Sequence, residues 1–419
     1  MQTAAQKQFE ITRITGEEGR MKKNREIELL RAVAILLTLT QHLGYLFVPS
    51  KELWQAINRN PPFWGGVDLF FCVSGFVICK SLVRGAAPQT FEQHRARAIS
   101  FWLRRFFRIV PSVWLWVGLS LIAARYFNET GGFGDYSVDI GDSLSAIFNV
   151  ANIHILRCIF GHATCGPNPI YWSLSLEEQF YLLLPFVLLL PPRTVAVLTI
   201  ILVGIQMPFR RMPWGHDFGG ILWFFRCDAL LLGATIAYGS TTRHYETIRN
   251  WAQCLCRARL VVAGVLVALL MLIPATGAYL ACAGIAVVSF ALVLLASFDA
   301  QVLFRETRIT EPFVWVGTRS FSIYLIHMPT WWFVNEAAYR LAGRAAGYSV
   351  PLFHNPMRFG VSCVAVLAII CVAELNYRFV EVPIREKGKR IADGSYPLPL
   401  NRRRDAESMR AMDRRTMRH

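Results

Sequence analysis

The residues that could do chemistry in this chain sit mostly inside apolar runs, where they should be expensive. His42 follows Gln41 in LLTLTQHLGYLF, and His327 closes SIYLIH. A neutral imidazole can take a proton from a hydroxyl, so either could act as a general base. The plainer reading of such a His is helix packing through a hydrogen bond to a neighbour. Asp68 and Ser74-Gly75 lie in WGGVDLFFCVSGFVICK. Asp68 could cap a helix or pair with an Arg, and Ser74-Gly75 reads as a close helix contact. Glu177 and Glu178 open YWSLSLEEQFYLLLPF as YWSLSLEE. Two adjacent carboxylates cannot share one helix face, so one points toward the bundle. In ISFWLRRFFRIVPSVW, Arg104 and Arg108 are four apart and Arg105 and Arg108 three apart, so their guanidinium groups can share a face. Arg forks suit phosphate, which makes this a candidate site for a phosphate-rich ligand. The alternative is an interfacial anchor on lipid phosphate, flanked by belt aromatics. Arg226 and Asp228 in FRCDALLLG, Arg319 in VGTRSFS, and Glu381 with Pro383 in NYRFVEVPIR complete the set. Intramembrane charges of this kind are functional candidates by default.

The elements that carry them must be membrane helices. The chain has 419 residues, 54% apolar and 17% charged, with a mean hydropathy of +0.36. Soluble domains average roughly 45–50% apolar and about 25% charged. Soluble, disordered, collagen-like and small disulfide-scaffold classes are excluded. A span needs about 20 mostly apolar residues. The sequence predicts an all-α polytopic membrane protein of about ten transmembrane helices, at 29–49, 63–83, 109–127, 171–191, 194–209, 218–238, 259–274, 277–297, 313–335 and 358–380. The fifth, seventh and eighth are short or separated by tight turns. With ten spans both termini share a side. That side carries 33 Lys and Arg, and the opposite loops carry 9. The positive-inside rule then places both termini in the cytoplasm and the protein in the plasma membrane. This asymmetry accounts for most of the net charge of +16. Nucleic acid is not needed to explain it, although a basic tail can rest on anionic lipid.

Three regions follow: a flexible cytoplasmic leader at 1–24, a membrane domain at 25–384 and a basic cytoplasmic tail at 385–419. The tail from 391 onward carries seven Arg and is expected to be mobile at the membrane surface. Cys158 and Cys165 are the only cysteine pair in a predicted outside loop, where an oxidising space favours a disulfide. Cys254 and Cys256 form a lone C-x-C, too little for a zinc site, and no metal is expected.

Seven strings run in a consistent order: REIELLRAVAILLTLTQH, GVDLFFCVSGF, RRFFRIVP, YWSLSLEEQFY, FRCDALLLG, GTRSFSIYLIH and FVEVPIR. Together they resemble the integral-membrane acyltransferase type 3 family, the O-antigen acetylase-like membrane O-acyltransferases. The resemblance covers about Arg25 to Arg385. It implies transfer of an acyl group, usually acetyl, from cytoplasmic acyl-CoA to a hydroxyl, commonly on an envelope or secreted glycan. The family's essential His falls on His42, its R-x-x-R pair on Arg105 and Arg108, its acidic residue on Glu177, and its Ser-Gly-Phe on Ser74 to Phe76. Glu28 stands where many members have Asp, which keeps the charge. Only 38 residues follow Glu381, so the soluble hydrolase-like domain of many relatives is not expected and transfer within the membrane core is the simpler scheme. His42 would need an orienting partner, with Glu177 or Asp68 as candidates. Ser74 or His42 would be the nucleophile if a covalent acyl-enzyme forms. A glycosylated small molecule is another possible acceptor. A transporter or flippase of lipid-linked sugar, and a non-catalytic membrane sensor, are the competing classes.

Overall fold

The computed structural model describes residues 24–48, 50–83, 90–187, 189–213, 215–343 and 358–395. Most of the expected leader and residues 396–419 of the expected tail fall outside them. Among the described residues every regular element is helical. In chain order the α-helices are α1 (Arg25–Leu43), α2 (Lys51–Ile57), α3 (Gly65–Val83), α4 (Phe91–Tyr126), α5 (Tyr136–Ile147), α6 (Ala151–Ile159), α7 (Tyr171–Val187), α8 (Pro192–Gln206), α9 (Phe218–Phe224), α10 (Asp228–Gly239), α11 (Arg243–Ala252), α12 (Arg259–Ala275), α13 (Ala281–Ser297), α14 (Glu311–Thr318), α15 (Ser320–Ala338), α16 (Arg358–Leu375) and α17 (Val382–Ser395).

Among the described residues, each of the ten predicted stretches is mostly helical. Length and composition support fewer crossings. Among the described residues, five helical stretches are long and apolar enough to span a membrane: Arg25–Leu46, Gly65–Val83, Phe91–Tyr126, Arg243–Ala275 and Phe359–Gly394. The pair α9 and α10, bent by 51° at a short break, makes a sixth if it counts as one span. The physical reason for the difference is interruption. Arg193–Gln206 and Ala281–Ser297 are apolar but short, and α14 ends at Thr318 before α15 begins at Ser320.

Breaks at membrane depth must satisfy their freed backbone groups inside the protein. At the α9–α10 break, the Cys227 N–H donates to Gln206 Oε1 at 3.0 Å. The Phe224 carbonyl accepts from Asn152 Nδ2 at 3.3 Å. Helix starts are capped in the usual way: Asn24 accepts from the Ile27 N–H, and Asp217 from the Gly220 N–H.

The core pairing is α3 against α10. A β-carbon on Gly75 would lie 2.0 Å from the Leu230 carbonyl oxygen, and one on Gly233 2.0 Å from that of Cys72. Lipid gives no hydrophobic drive between helices, so close approach of small residues does the work. This is the helix contact expected at Ser74-Gly75. Around this pair stand α1, α13 and α7, with α4, α15 and α16 beyond.

One end of the bundle carries the stretch from Phe127 to Ile170. Cys158 and Cys165 are joined there as a disulfide. Glu336 of α15 accepts from the Glu129 and Thr130 N–H groups, both at 2.8 Å, and so ties this stretch down. At the other end α17 continues across residue 385, where the tail was expected to start. It packs on α4, with Ala392 fully buried and Arg104 bonded to Asp393 at 2.7 Å. The chain therefore stays helical as far as Ser395.

The α3–α10 contact generates a contrast. Gly75→Ala should lower the stability of the detergent-solubilised protein by about 1–3 kcal/mol, because backbone must move. Gly118→Ala on α4, where a β-carbon meets nothing within 4 Å, should be neutral or slightly stabilising. Thermal unfolding of both variants checks the difference. Equal melting temperatures would remove the close contact.

Candidate active site

A cavity with a free volume of about 90 Å³ lies between α1, α3, α4, α7 and α15. Its charged end is lined by Arg31, Arg105 and Arg108, its middle by Ser74, Glu177 and Tyr181, and its far end by Phe70, Ser173 and Tyr324. The helical periodicity of α4 explains the division of its arginines. Arg105 and Arg108, three apart, face the cavity together. Arg104 turns to the other side, where Asp393 and Ser100 hold it. Among the described residues, neither Arg105 nor Arg108 has a carboxylate within ion-pair distance. Arg105 instead lies over the Phe101 and Tyr181 rings at 5.7 and 5.6 Å. Unpaired guanidinium groups beside a cavity make a site for an anion, and forks favour phosphate.

The Tyr181 hydroxyl donates to Glu177 Oε2 at 3.0 Å, and Ser74 faces both groups. The structure thus brings Ser74, Glu177, Arg105 and Arg108 around one space.

His42 and His327 form a direct pair at the opposite end. His42 Nδ1 lies 2.8 Å from His327 Nε2, and the two rings are coplanar within 2°. His327 Nδ1 lies 2.7 Å from the Tyr324 carbonyl oxygen. A carbonyl only accepts, so His327 Nδ1 carries the proton and donates. In the neutral ring His327 Nε2 must then accept. His42 Nδ1 donates to it, and the remaining lone pair of His42 is on Nε2. That is the tautomer a general base needs. Tyr324 links the two regions. Its ring lines the cavity, its carbonyl orients His327, and its hydroxyl donates to the Ile170 carbonyl at 2.6 Å. A carboxylate was expected to orient His42; the group in that place is His327. Glu177 is engaged by Tyr181, and both oxygens of Asp68 are engaged elsewhere.

Arg31, Ser173, Tyr181 and Tyr324 of the cavity escaped the sequence reading. Arg31 stands eleven residues before His42 on α1. Eleven residues are close to three full helical turns, about 16 Å, so the two share a face. That spacing was the available signal. Tyr324 had no signal beyond its position three before His327.

The family model described as an acyltransferase domain matches residues 24–375 of the chain. The chain belongs to this acyltransferase family. The chain is also similar to the O-acetyltransferase OatA of Staphylococcus aureus, with 26% identity over 383 residues, covering 86% of this chain and 57% of that protein. The peptidoglycan O-acetyltransferase OatA of Listeria monocytogenes is 24% identical over 396 residues, covering 86% of this chain and 56% of its own length. The chain therefore spans little more than half the length of these relatives. No solved structure matches it.

In this acyltransferase-family chain the buried charges of Asp68, Arg226, Asp228 and Arg319 are met by partners. Asp68 holds Arg226 by two bonds, 3.1 Å from Nε and 3.0 Å from Nη2. Arg226 is fully buried, with the Trp223 ring centre 3.9 Å from its guanidinium carbon and that of Trp172 at 4.9 Å. Asp228 pairs with Arg211 at 2.7 Å, also buried. Arg319 pairs with Glu374. His154, Cys158 and Cys165 offer ligand-type atoms within 4.8 Å of one another, but both sulfurs are consumed by the disulfide.

Asp68 is placed as the partner of a buried cation. Asp68→Ala should destabilise the protein by about 3–5 kcal/mol, because Arg226 is left uncompensated. The double variant Asp68→Leu with Arg226→Met should recover much of that. Thermal melts of the three proteins test it. An Asp68→Ala protein with an unchanged melting temperature and no transfer activity would instead put Asp68 in the chemistry.

Proposed function

We propose that the protein is a membrane O-acetyltransferase that moves an acetyl group from cytoplasmic acyl-CoA to a hydroxyl of a cell-envelope glycan. In this reading the ten apolar helical stretches all cross or enter the bacterial inner membrane, with both termini cytoplasmic. The carrying observation is one cavity with unpaired Arg105 and Arg108 at one end and a tautomer-defined His pair beside the other. Family membership and the printed names of the relatives, both O-acetyltransferases and the Listeria one a peptidoglycan O-acetyltransferase, support the reaction class and the glycan.

The donor's phosphates stay at the cytoplasmic end, held by Arg31, Arg105 and Arg108, because carrying such charge through the bilayer is too costly. The slender pantetheine arm passes between Ser74, Glu177 and Tyr181 toward Tyr324. His42 Nε2 takes the proton of the acceptor hydroxyl as its oxygen attacks the thioester carbonyl. The tetrahedral adduct then expels the coenzyme thiolate, and the proton on His42 passes to that sulfur. The new bond is the ester C–O, and the bond broken is C–S. His327 stays neutral and keeps His42 in the productive tautomer. It is a positioning residue, and Ser74 and Glu177 line the channel. A lipid-linked-sugar transporter would have no use for thioester chemistry, so labelled acetyl-CoA separates the two classes.

His42→Ala should reduce transfer by about 10²–10⁴-fold while leaving acetyl-CoA affinity within a few-fold, since a base acts mainly on the transition state. His327→Gln, which can still accept from His42 Nδ1, should keep more activity than His327→Ala. Arg105→Lys and Arg108→Lys keep charge but lose the fork, and each should weaken acetyl-CoA binding roughly tenfold. Calorimetric titration beside a labelled-acetyl transfer assay reads all five. Wild-type transfer by His42→Ala would end this assignment of the base. Unchanged donor affinity in both Lys variants would make the arginines lipid anchors.

A further inference from the structure

A second cavity lies at the histidine end, with Tyr171 and Trp332 in its wall. Its free volume of about 20 Å³ admits a body the size of one or two waters and excludes a sugar ring. Oxygen donors line it: Asp139 and Asp142 of α5, Ser120 of α4, Asn168 and Tyr171. No Lys or Arg lines it. Asp139 and Asp142 are three apart on one helix face, so their carboxylates converge. A β-carbon on Gly166 would lie 2.3 Å from Asp139 Oδ1 and 3.0 Å from Asp142 Oδ2. One on Gly134, held at φ +83°, would lie 3.2 Å from Asp139 Oδ1. Side chains at either glycine would cover the oxygen that the fold leaves open.

Two further observations point to a ligand. Asp139 is 8% exposed, yet among the described residues no hydrogen bond or ion pair reaches its carboxylate. The Tyr171 residue is 4% exposed. Its hydroxyl and the Asn168 side-chain oxygen lie beside one another, and among the described residues neither has any other hydrogen-bond partner. Buried polar groups are normally satisfied, so each such orphan needs an explanation. Asp142 is half-used: its two oxygens accept from His154 Nε2 and the Gly166 N–H, both at 2.9 Å, and each keeps a lone pair.

We propose that Asp139, Asp142, Asn168 and Tyr171 form a binding site for a hard divalent cation of the calcium class. An all-oxygen donor set containing two carboxylates selects hard cations over zinc or copper. One such ion cancels the like charges of the two carboxylates, which otherwise repel in a poorly hydrated space. It also joins elements that are far apart in sequence. Asp142 is bonded to Gly166, next to the disulfide at Cys165. Ile170, beside Tyr171, receives the Tyr324 hydroxyl. The ion therefore braces the stretch that backs the far wall of the main cavity. This site is independent of the acetyl-transfer reading.

The test uses the full chain in detergent, stripped with a chelator and dialysed. Radiocalcium equilibrium dialysis should give one ion per chain, and calcium chloride should raise the melting temperature by several degrees, as a ligand specific to the folded state must. Sodium chloride at matched ionic strength should not. Asp139→Asn should abolish binding and the calcium-dependent shift, yet melt without calcium no lower than the stripped wild type, because it removes the repulsion. Tyr171→Phe should weaken binding several-fold. Asp135→Asn, at the exposed cap of α5, should bind calcium as the wild type does. Absence of calcium binding by the wild type, or unaltered binding by a folded Asp139→Asn, overturns the site and leaves the cavity to water.

Discussion

A charge inside an apolar bundle has to be neutralised, and this constraint sorts the arginines of the chain. Arg226 is met by Asp68, Arg211 by Asp228 and Arg319 by Glu374. In each case helices distant in sequence are joined, so the pairs specify which helices stand together. The Asp68–Arg226 pair fastens α3 to the break between α9 and α10, where Gln206 and Asn152 satisfy the freed backbone. Replacing such a pair by apolar groups is often harmless, whereas removing one member is not. Their stabilising effect is therefore conditional on one another. What they secure is geometry, in particular the close α3–α10 contact that presents Ser74 to the cavity.

Against that background Arg105 and Arg108 are the exceptions. They lie beside a cavity with rings, one another and Arg31 for neighbours, the Glu177, Glu178 and Glu381 carboxylates stay beyond ion-pair distance, and Arg31 reaches Glu28 only at 3.6 Å. Unbalanced positive charge is costly in the empty site and favourable once an anion enters. The cost is kept tolerable by placement at the bundle end where α17 covers α4, rather than at its centre. The helix α1 runs from this end toward the histidine pair, and Arg31 and His42 share one of its faces about 16 Å apart along the axis.

Composition and helical period were enough for the class and the helical stretches, and they narrowed the arginine face to two alternatives. The packing role of Gly75 was also legible, since small residues in an apolar run have few other uses. The cysteine pair could be read from compartment logic alone. The partner of His42 could not. His327 is 285 positions away, and no periodicity connects two helices that distant. Asp68 was ambiguous for the same reason, because its partner Arg226 lies 158 positions on. Arg104 and Arg105 are adjacent and chemically identical. Only the position of α17, which supplies Asp393, decides that Arg104 leaves the cavity. Helix interruptions at Arg319 and after Phe224 were hidden because apolar content continues through them.

The choice of an imidazole as the partner of His42 has a consequence for the proposed reaction. A carboxylate in that place would put a permanent negative charge at a site where His327 is fully buried, and it would need its own compensation. His327 holds the tautomer through the Tyr324 carbonyl without bringing any charge. The resting pair is then neutral, in keeping with its surroundings. Positive charge forms on His42 only while it carries the acceptor's proton. No fixed counter-ion is provided for that moment, so the balancing charge must come from the reaction itself. The oxyanion and then the coenzyme thiolate supply it, and both disappear when the proton moves to sulfur. A pair of this kind favours transfer in which the proton is returned at once to the leaving group, and disfavours any long-lived state in which His42 remains charged.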